Sequence, residues 1–156
     1  MKIGFTGTQS GMTERQKIEF LDILTQINKD FSAITEFHHG DCIGADYEAH
    51  QIFRIFYNEK IHIHPSNNSS KRAYSSKNEI YYQRNSKYPV PDIHKAKPYL
   101  ERNKVIVNET DMLIACPKSK QEELRSGTWA TIRYAKKQKK PIIIIFPDGT
   151  IQKILE

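Results

Sequence analysis

Short apolar runs that end on glycine or a small polar residue alternate along the chain with longer stretches whose apolar positions recur every three to four residues. Lys2 to Thr6 is the first such run, closed by Gly7. After Thr13, apolar residues at 18, 20, 21, 24 and 27 carry a helical period to Ile27. Thr35 to His39 reads as a second strand and ends in Gly40-Asp-Cys-Ile-Gly-Ala-Asp46. Ala49, Ile52, Phe53, Phe56 and Tyr57 then return to helical spacing. Lys60 to His64 alternates as a third strand, Tyr99 to Val107 reads as a helix, and Met112 to Ala115 as a fourth strand. A polar loop leads into a helix from about Gly127 to Gln138. Pro141 to Phe146 is a fifth strand, after which Asp148-Gly149 turns the chain into a short tail.

Strands alternating with helices specify an α/β, three-layer domain with a parallel sheet, because parallel neighbours need crossover connections. The unbroken apolar run Ile142 to Phe146 fits a strand buried on both faces. We expect five parallel strands in the order 3-2-1-4-5, within one domain spanning residues 1–156. In that order the topological switch point falls between the first and fourth strands, and ligands bind outside the carboxyl ends of strands at such points.

The segment from Pro65 to Lys95 has no clear period, which is unusual inside a compact domain. It holds Tyr74, Tyr81, Tyr82 and Tyr88 among Arg72, Arg84 and several lysines, a mixture that stacks on bases and grips phosphates in a lid, or is a solvated insertion. The formal net charge is +6, and between Ser66 and Lys104 nine Lys or Arg stand against three acids, which equals the whole excess. No run of eighteen apolar residues is present to span a membrane, and no basic start precedes an apolar signal region. Cys42 and Cys116, without C-x-x-C spacing, read as free thiols, so a cytoplasmic protein is expected.

The loop before the fourth helix, ending Arg125-Ser126-Gly127-Thr128, presents unpaired N–H groups and a positive dipole end, the makings of an anion cradle. Ser126 and Thr128 serve equally as helix caps. Gly4-Phe-Thr-Gly-Thr8 offers exposed amides and hydroxyls, but is neither a Walker loop nor a full G-x-G-x-x-G. Asp41 and Asp46, flanking Gly44, suit ribose hydroxyls or turn and cap duties. Arg102-Asn103 lies where a guanidinium could reach the same mouth. His38, His39, His62 and His64 suggest a metal with Asp41 or Cys42, yet adjacent strand residues such as His38 and His39 point to opposite faces, so no metal is expected. Cys42 as a nucleophile would need a base, for which His39 is the neighbour at hand.

Taken together, Gly4-Phe-Thr-Gly-Thr, His39-Gly-Asp-Cys-Ile-Gly-Ala-Asp46, Arg102-Asn103 and Arg125-Ser-Gly-Thr-Trp-Ala-Thr-Ile-Arg133 resemble the SLOG superfamily of Rossmann-like proteins. That group includes the DNA-processing protein DprA, the LOG nucleotide phosphoribohydrolases and small YspA-like and YpsA-like proteins. The resemblance implies a nucleotide pocket lined by Gly7, Thr8, Gly40, Gly44, Asp46, Arg102, Asn103, Arg125, Ser126, Gly127 and Thr128. It also implies a small homo-oligomeric protein with no resident cofactor that binds a nucleotide or nucleotide-derived ligand. LOG enzymes carry Pro-Gly-Gly-x-Gly-Thr followed by a glutamate that works in glycosidic cleavage. Here Trp129, Ala130 and Thr131 follow Thr128, and both the proline and the glutamate are missing. Hydrolysis would then fall to Asp41, Asp46, Glu122 or Glu123. DprA-like binding of single-stranded nucleic acid along the basic loop is the other alternative.

Overall fold

A computed structural model of the chain describes residues 1–79 and 89–155. Seven strands and four helices follow in the order β1 (Lys2–Gly7), α1 (Glu14–Gln26), β2 (Glu36–His39), α2 (Ala45–Phe56), β3 (Lys60–Ile63), β4 (Asp92–Ile93), α3 (Tyr99–Glu109), β5 (Met112–Cys116), α4 (Gly127–Lys137), β6 (Ile142–Ile145) and β7 (Ile151–Ile154). They form one sheet in the order β4-β3-β2-β1-β5-β6-β7. All neighbours are parallel except β6 and β7, which pair antiparallel from Ile142↔Ile154 to Ile145↔Ile151.

Among the described residues the sheet therefore has seven strands and is mixed, where five parallel strands were expected. The two additions stand at its edges. β4 is a two-residue strand inside the segment read as a loop, too short to show a period. β7 is the expected tail, folded back as a hairpin by the Asp148-Gly149 turn, in which Phe146 N donates to Thr150 O at 2.8 Å.

Each face of the sheet has its own apolar cluster. On one side Phe20, Ile23 and Leu24 of α1 and Ala45, Ala49 and Phe53 of α2 cover Phe5, Phe37, Ile61 and Ile114. On the other, Val107 of α3 and Trp129, Ile132 and Ala135 of α4 cover Leu113, Ala115, Ile142 and Ile144. The central strands are consequently apolar without alternation, as burial on both faces demands. Thr13 and Gln16 form a reciprocal capping box at the start of α1. The Gln16 amide, almost fully buried, also donates to Pro117 O and Ile145 O, both at 2.9 Å, and so ties α1 to the ends of β5 and β6.

The described part of the 65–95 segment is built into the domain. Ser75 and Glu79 are buried, Glu79 accepts from His50 of α2 at 2.6 Å, and Ala73 N donates to Asp41 O at 2.7 Å. Tyr81, Tyr82, Arg84 and Tyr88, named above for base stacking, lie outside the described residues.

Candidate functional site

The chain leaves β1, β2 and β5 through loops that meet at the carboxyl ends of the strands, and between them opens a cleft of about 600 Å³. Thr6 and Gly7 at the end of β1 with Thr8 to Ser10 beyond it, and Gly40, Cys42 and Asp46 after β2, line one wall. The opposite wall is Lys118 and Glu123 to Thr128 with the exception of Leu124. Tyr99, Arg102, Asn103 and Ile106 of α3 close the side. This lies at the β1–β5 switch point, where the order of the sheet puts a ligand.

The helix α4 points its N-terminus into the cleft. Ser126 caps it, its hydroxyl accepting from Trp129 N at 3.2 Å, which leaves the first amides, those of Gly127 and Thr128, without a carbonyl partner inside the helix. A Cβ built on Gly127 meets no atom within 4 Å. The space above those amides is open, and Arg125 and Lys118 stand beside it. Across the cleft Thr8 Oγ1 shares a hydrogen bond of 2.8 Å with Ser10 Oγ.

The loop after β2 is shaped by close packing on the loop after β1. Ala45 N donates to Thr8 O at 3.0 Å, and Gly44, which precedes α2, takes φ +97°. A Cβ there would lie 2.6 Å from Gln9 C and 2.7 Å from Thr8 O. Gly44 thus does not line the cleft, as the resemblance implied; it lets the two loops touch. We expect Gly44→Ala to destabilise the protein by about 1–3 kcal/mol from its backbone conformation alone, with the clash adding to that. An unchanged urea midpoint would contradict this account.

Asp46 occupies the first turn of α2 with 5% of its surface exposed. Its Oδ2 accepts from Cys42 N at 3.1 Å, whereas Oδ1, closed off from solvent, has no partner. Burial pushes its pKa up from 3.8 to about 6, with the Arg102 charge opposing. Arg102 is a strut more than a free hand. Its Nη1 donates to Gly40 O at 2.6 Å and to His64 O at 2.9 Å, and its Nε to Asn103 Oδ1 at 2.8 Å. Only Nη2, 3.5 Å from Cys42 Sγ, is weakly engaged.

Other expectations fall elsewhere. Asp41 is fully buried outside the cleft, its carboxylate taken by Arg72 Nε at 2.8 Å and Ser75 N at 2.9 Å, so it anchors the following segment. Glu122 pairs with Arg133 at 2.9 Å away from the cleft. Among the described residues the carboxylates that line the cleft are Asp46 and Glu123. Thr131 turns its hydroxyl back to Gly127 O at 2.9 Å. Burial pushes the Cys42 thiol up to about 11, and His39 is occupied by His50 and by Asp41 N, so the imagined Cys42–His39 pair has neither a thiolate nor a base. Lys71, Lys118, Tyr99 and Ile106 line the cleft without having been singled out in the sequence. Both lysines carried a signal, Lys71 as part of the basic excess between Ser66 and Lys104 and Lys118 by standing two residues beyond an apolar strand end.

His38 and His39 do face opposite sides of the sheet. His38 joins His62, His64 and His94 on the α3 side, where cross-strand register stacks His38 on His62 at 4.3 Å and His64 on His94 at 4.2 Å between ring centres. Two groups there converge closely enough to hold an ion: Glu36, His38 and His62, and His38, His64 and Glu109. Burial lowers the pKa of His38 to about 4 and of His64 to about 2, so both rings are neutral.

An open α/β sheet with its cleft at the switch point, and strand-end loops in place of a Walker or dinucleotide fingerprint, defines a Rossmann-like α/β fold. The molybdenum cofactor binding protein of Rippkaea orientalis superposes with a TM-score of 0.59 at 18% identity, covering 93% of this chain and 76% of its own. The single-stranded-DNA-binding DNA processing protein A of Helicobacter pylori gives 0.60 at 19%, covering 92% of this chain and 64% of its own. The molybdenum cofactor carrier protein of Chlamydomonas reinhardtii gives 0.55 at 16%, covering 92% and 74%. These likenesses are of fold. The sequence matches no protein-family model and no curated protein. Among the described residues no helix is long and apolar enough to cross a membrane.

Proposed function

We propose that this is a cytoplasmic, homo-oligomeric protein that binds a nucleotide or nucleotide-derived ligand in the cleft. The phosphate rests on the loops after β1 and β5, and a ribose hydroxyl donates to Asp46. The observation that carries the reading is Asp46, a cleft-lining carboxylate with one buried, unpartnered oxygen, set across from a helix N-terminus. A buried acceptor left unpaired costs stability, and because Oδ1 is closed off in the free protein, a ligand hydroxyl reaches it once the carboxyl turns about its Cβ–Cγ bond. Lys71, Lys118 and Arg125 supply charge to an anion, while Tyr99 and Ile106 offer an apolar surface to a base.

Hydrolysis of a nucleoside monophosphate is the second reading, favoured by the pKa of about 6 at Asp46, which suits proton transfer near neutrality. Single-stranded nucleic acid is the third, suggested by the lysines at the cleft mouth and by what the Helicobacter pylori protein is named for.

Calorimetry with a panel of nucleoside mono- and diphosphates and the molybdenum cofactor, with chromatography for free base, separates these. A nucleotide bound without base release supports the first reading. Base release moves the protein to the second. Binding of an oligonucleotide that weakens steeply with salt, with no mononucleotide bound, overturns the first in favour of the third.

A further inference from the structure

The α3 side of the sheet is apolar over β5 and β6 but carries a ladder of histidines over β2, β3 and β4. Register places them there. His38 pairs with His62 across β2 and β3, and His64 follows on the same face. The last residue of α3, Glu109, reaches the ladder from above. His38 Nδ1 and His64 Nε2 are 2.9 Å apart, and Glu109 Oε2 is 3.9 Å from the first and 3.7 Å from the second. The point equidistant from these three atoms lies about 2.1 Å from each, the length of a Zn–N or Zn–O bond.

Two features distinguish this triangle from an ordinary network of hydrogen bonds. First, His38 Nε2 lies 2.8 Å from Glu36 Oε1. An ionised carboxylate only accepts, so the ring proton sits on Nε2 and the Nδ1 lone pair is directed at the triangle. This is the carboxylate–histidine–metal arrangement, in which an outer carboxylate sets the tautomer of a ligand. Second, Glu109 stands at the C-terminal end of α3, where the helix dipole disfavours a negative charge, and a cation between it and the rings removes that conflict. A small cavity of about 170 Å³, lined by His64, His94 and Glu109 together with Lys95, Lys97, Arg102 and Val105, adjoins the triangle and has room for water as a fourth ligand.

We propose that His38 Nδ1, His64 Nε2 and Glu109 Oε2 bind one divalent transition-metal ion of the zinc class, with Glu36 orienting His38. Two imidazoles and a carboxylate suit zinc or cobalt rather than calcium or magnesium, which take oxygen donors. His64 gives up its hydrogen bond to His38 and carries its proton on Nδ1 instead, so the ring stays neutral. The ion clasps the end of α3 to β2 and β3. Because Arg102 of α3 also holds His64 O, the same clasp steadies one wall of the cleft.

The expectation of no metal rested on His38 with His39, which face apart. The pair that converges is His38 with His64, brought together by strand register.

Chelator-treated protein titrated with Co²⁺ by visible absorption, and with Zn²⁺ by calorimetry, tests the site. The expected result is one ion per chain with the intense bands of a four-coordinate centre. Binding should be lost in Glu109→Gln, a half-exposed position whose change leaves the fold intact by circular dichroism, and in His64→Gln. Glu36→Gln should weaken it by about 10- to 100-fold, and His62→Gln should leave it unchanged. Absence of stoichiometric binding overturns the proposal. So does binding that survives Glu109→Gln but is lost in His62→Gln, which assigns the ion to Glu36 and His62.

Discussion

Gly127→Asp is expected to abolish binding of a phosphate-bearing ligand while leaving the protein folded. The position is the first residue of α4, and a side chain built there meets nothing within 4 Å, so the substitution enters free space. An acidic residue in the first turn also complements the helix dipole, so stability should hold or rise slightly. The change acts on the ligand alone. The carboxylate occupies the volume above the open amides, and two unit charges about 4 Å apart at an effective dielectric of about 20 repel by roughly 4 kcal/mol. That is close to a thousandfold loss of affinity. Calorimetry on parent and variant, with matched thermal melts, reads both quantities. Equal affinities in two folded proteins would remove the phosphate from this end of the cleft.

The strand end, loop and helix N-terminus of the proposed cradle were legible in the sequence because their signals are local. An apolar run that stops at Cys116, a polar loop, and Ser126-Gly127-Thr128 before a helical period together specify a strand, a loop and a helix N-terminus. The same holds for the loop after β1. What was not legible depends on distant pairing or on very short elements. β4 has two residues, too few for any period, and β7 has the pattern Ile-Gln-Lys-Ile, whose two polar positions in a row hide a strand that the Asp-Gly turn alone announces. In the sequence Asp41 and Asp46 follow the second strand five residues apart, on either side of Gly44, and look interchangeable. Only tertiary structure separates them, because Arg72 and Ser75, more than thirty residues away, occupy Asp41 and nothing occupies Asp46 Oδ1. The histidine ladder is likewise a product of register, and adjacency in sequence misdirected its reading toward His38 with His39.

That asymmetry between two carboxylates makes Asp46→Asn the sharpest test of the cleft. A rise in pKa from 3.8 to about 6 means the folded protein holds the Asp46 proton more tightly than the unfolded chain does. Between those values the native state binds more protons, so stability falls as pH rises through the window, and above pH 6 the full cost of the buried charge, up to about 3 kcal/mol, is present. Asparagine keeps an oxygen for Cys42 N and carries no charge. We therefore expect the variant to be more stable than the parent by about 1–3 kcal/mol at neutral pH, with the advantage shrinking toward zero as pH falls from 6 to 4. Affinity should move the other way. A ligand hydroxyl that donates to a carboxylate loses about 1.5–3 kcal/mol when the partner becomes neutral, roughly 10- to 100-fold. If the parent releases free base, the variant should not, since an amide cannot take up the proton. A cap or turn role for Asp46 requires the opposite pattern, with stability lost and affinity unchanged. Urea unfolding across pH and calorimetry at pH 7.5 decide between them, because the two roles predict opposite signs for the change in stability.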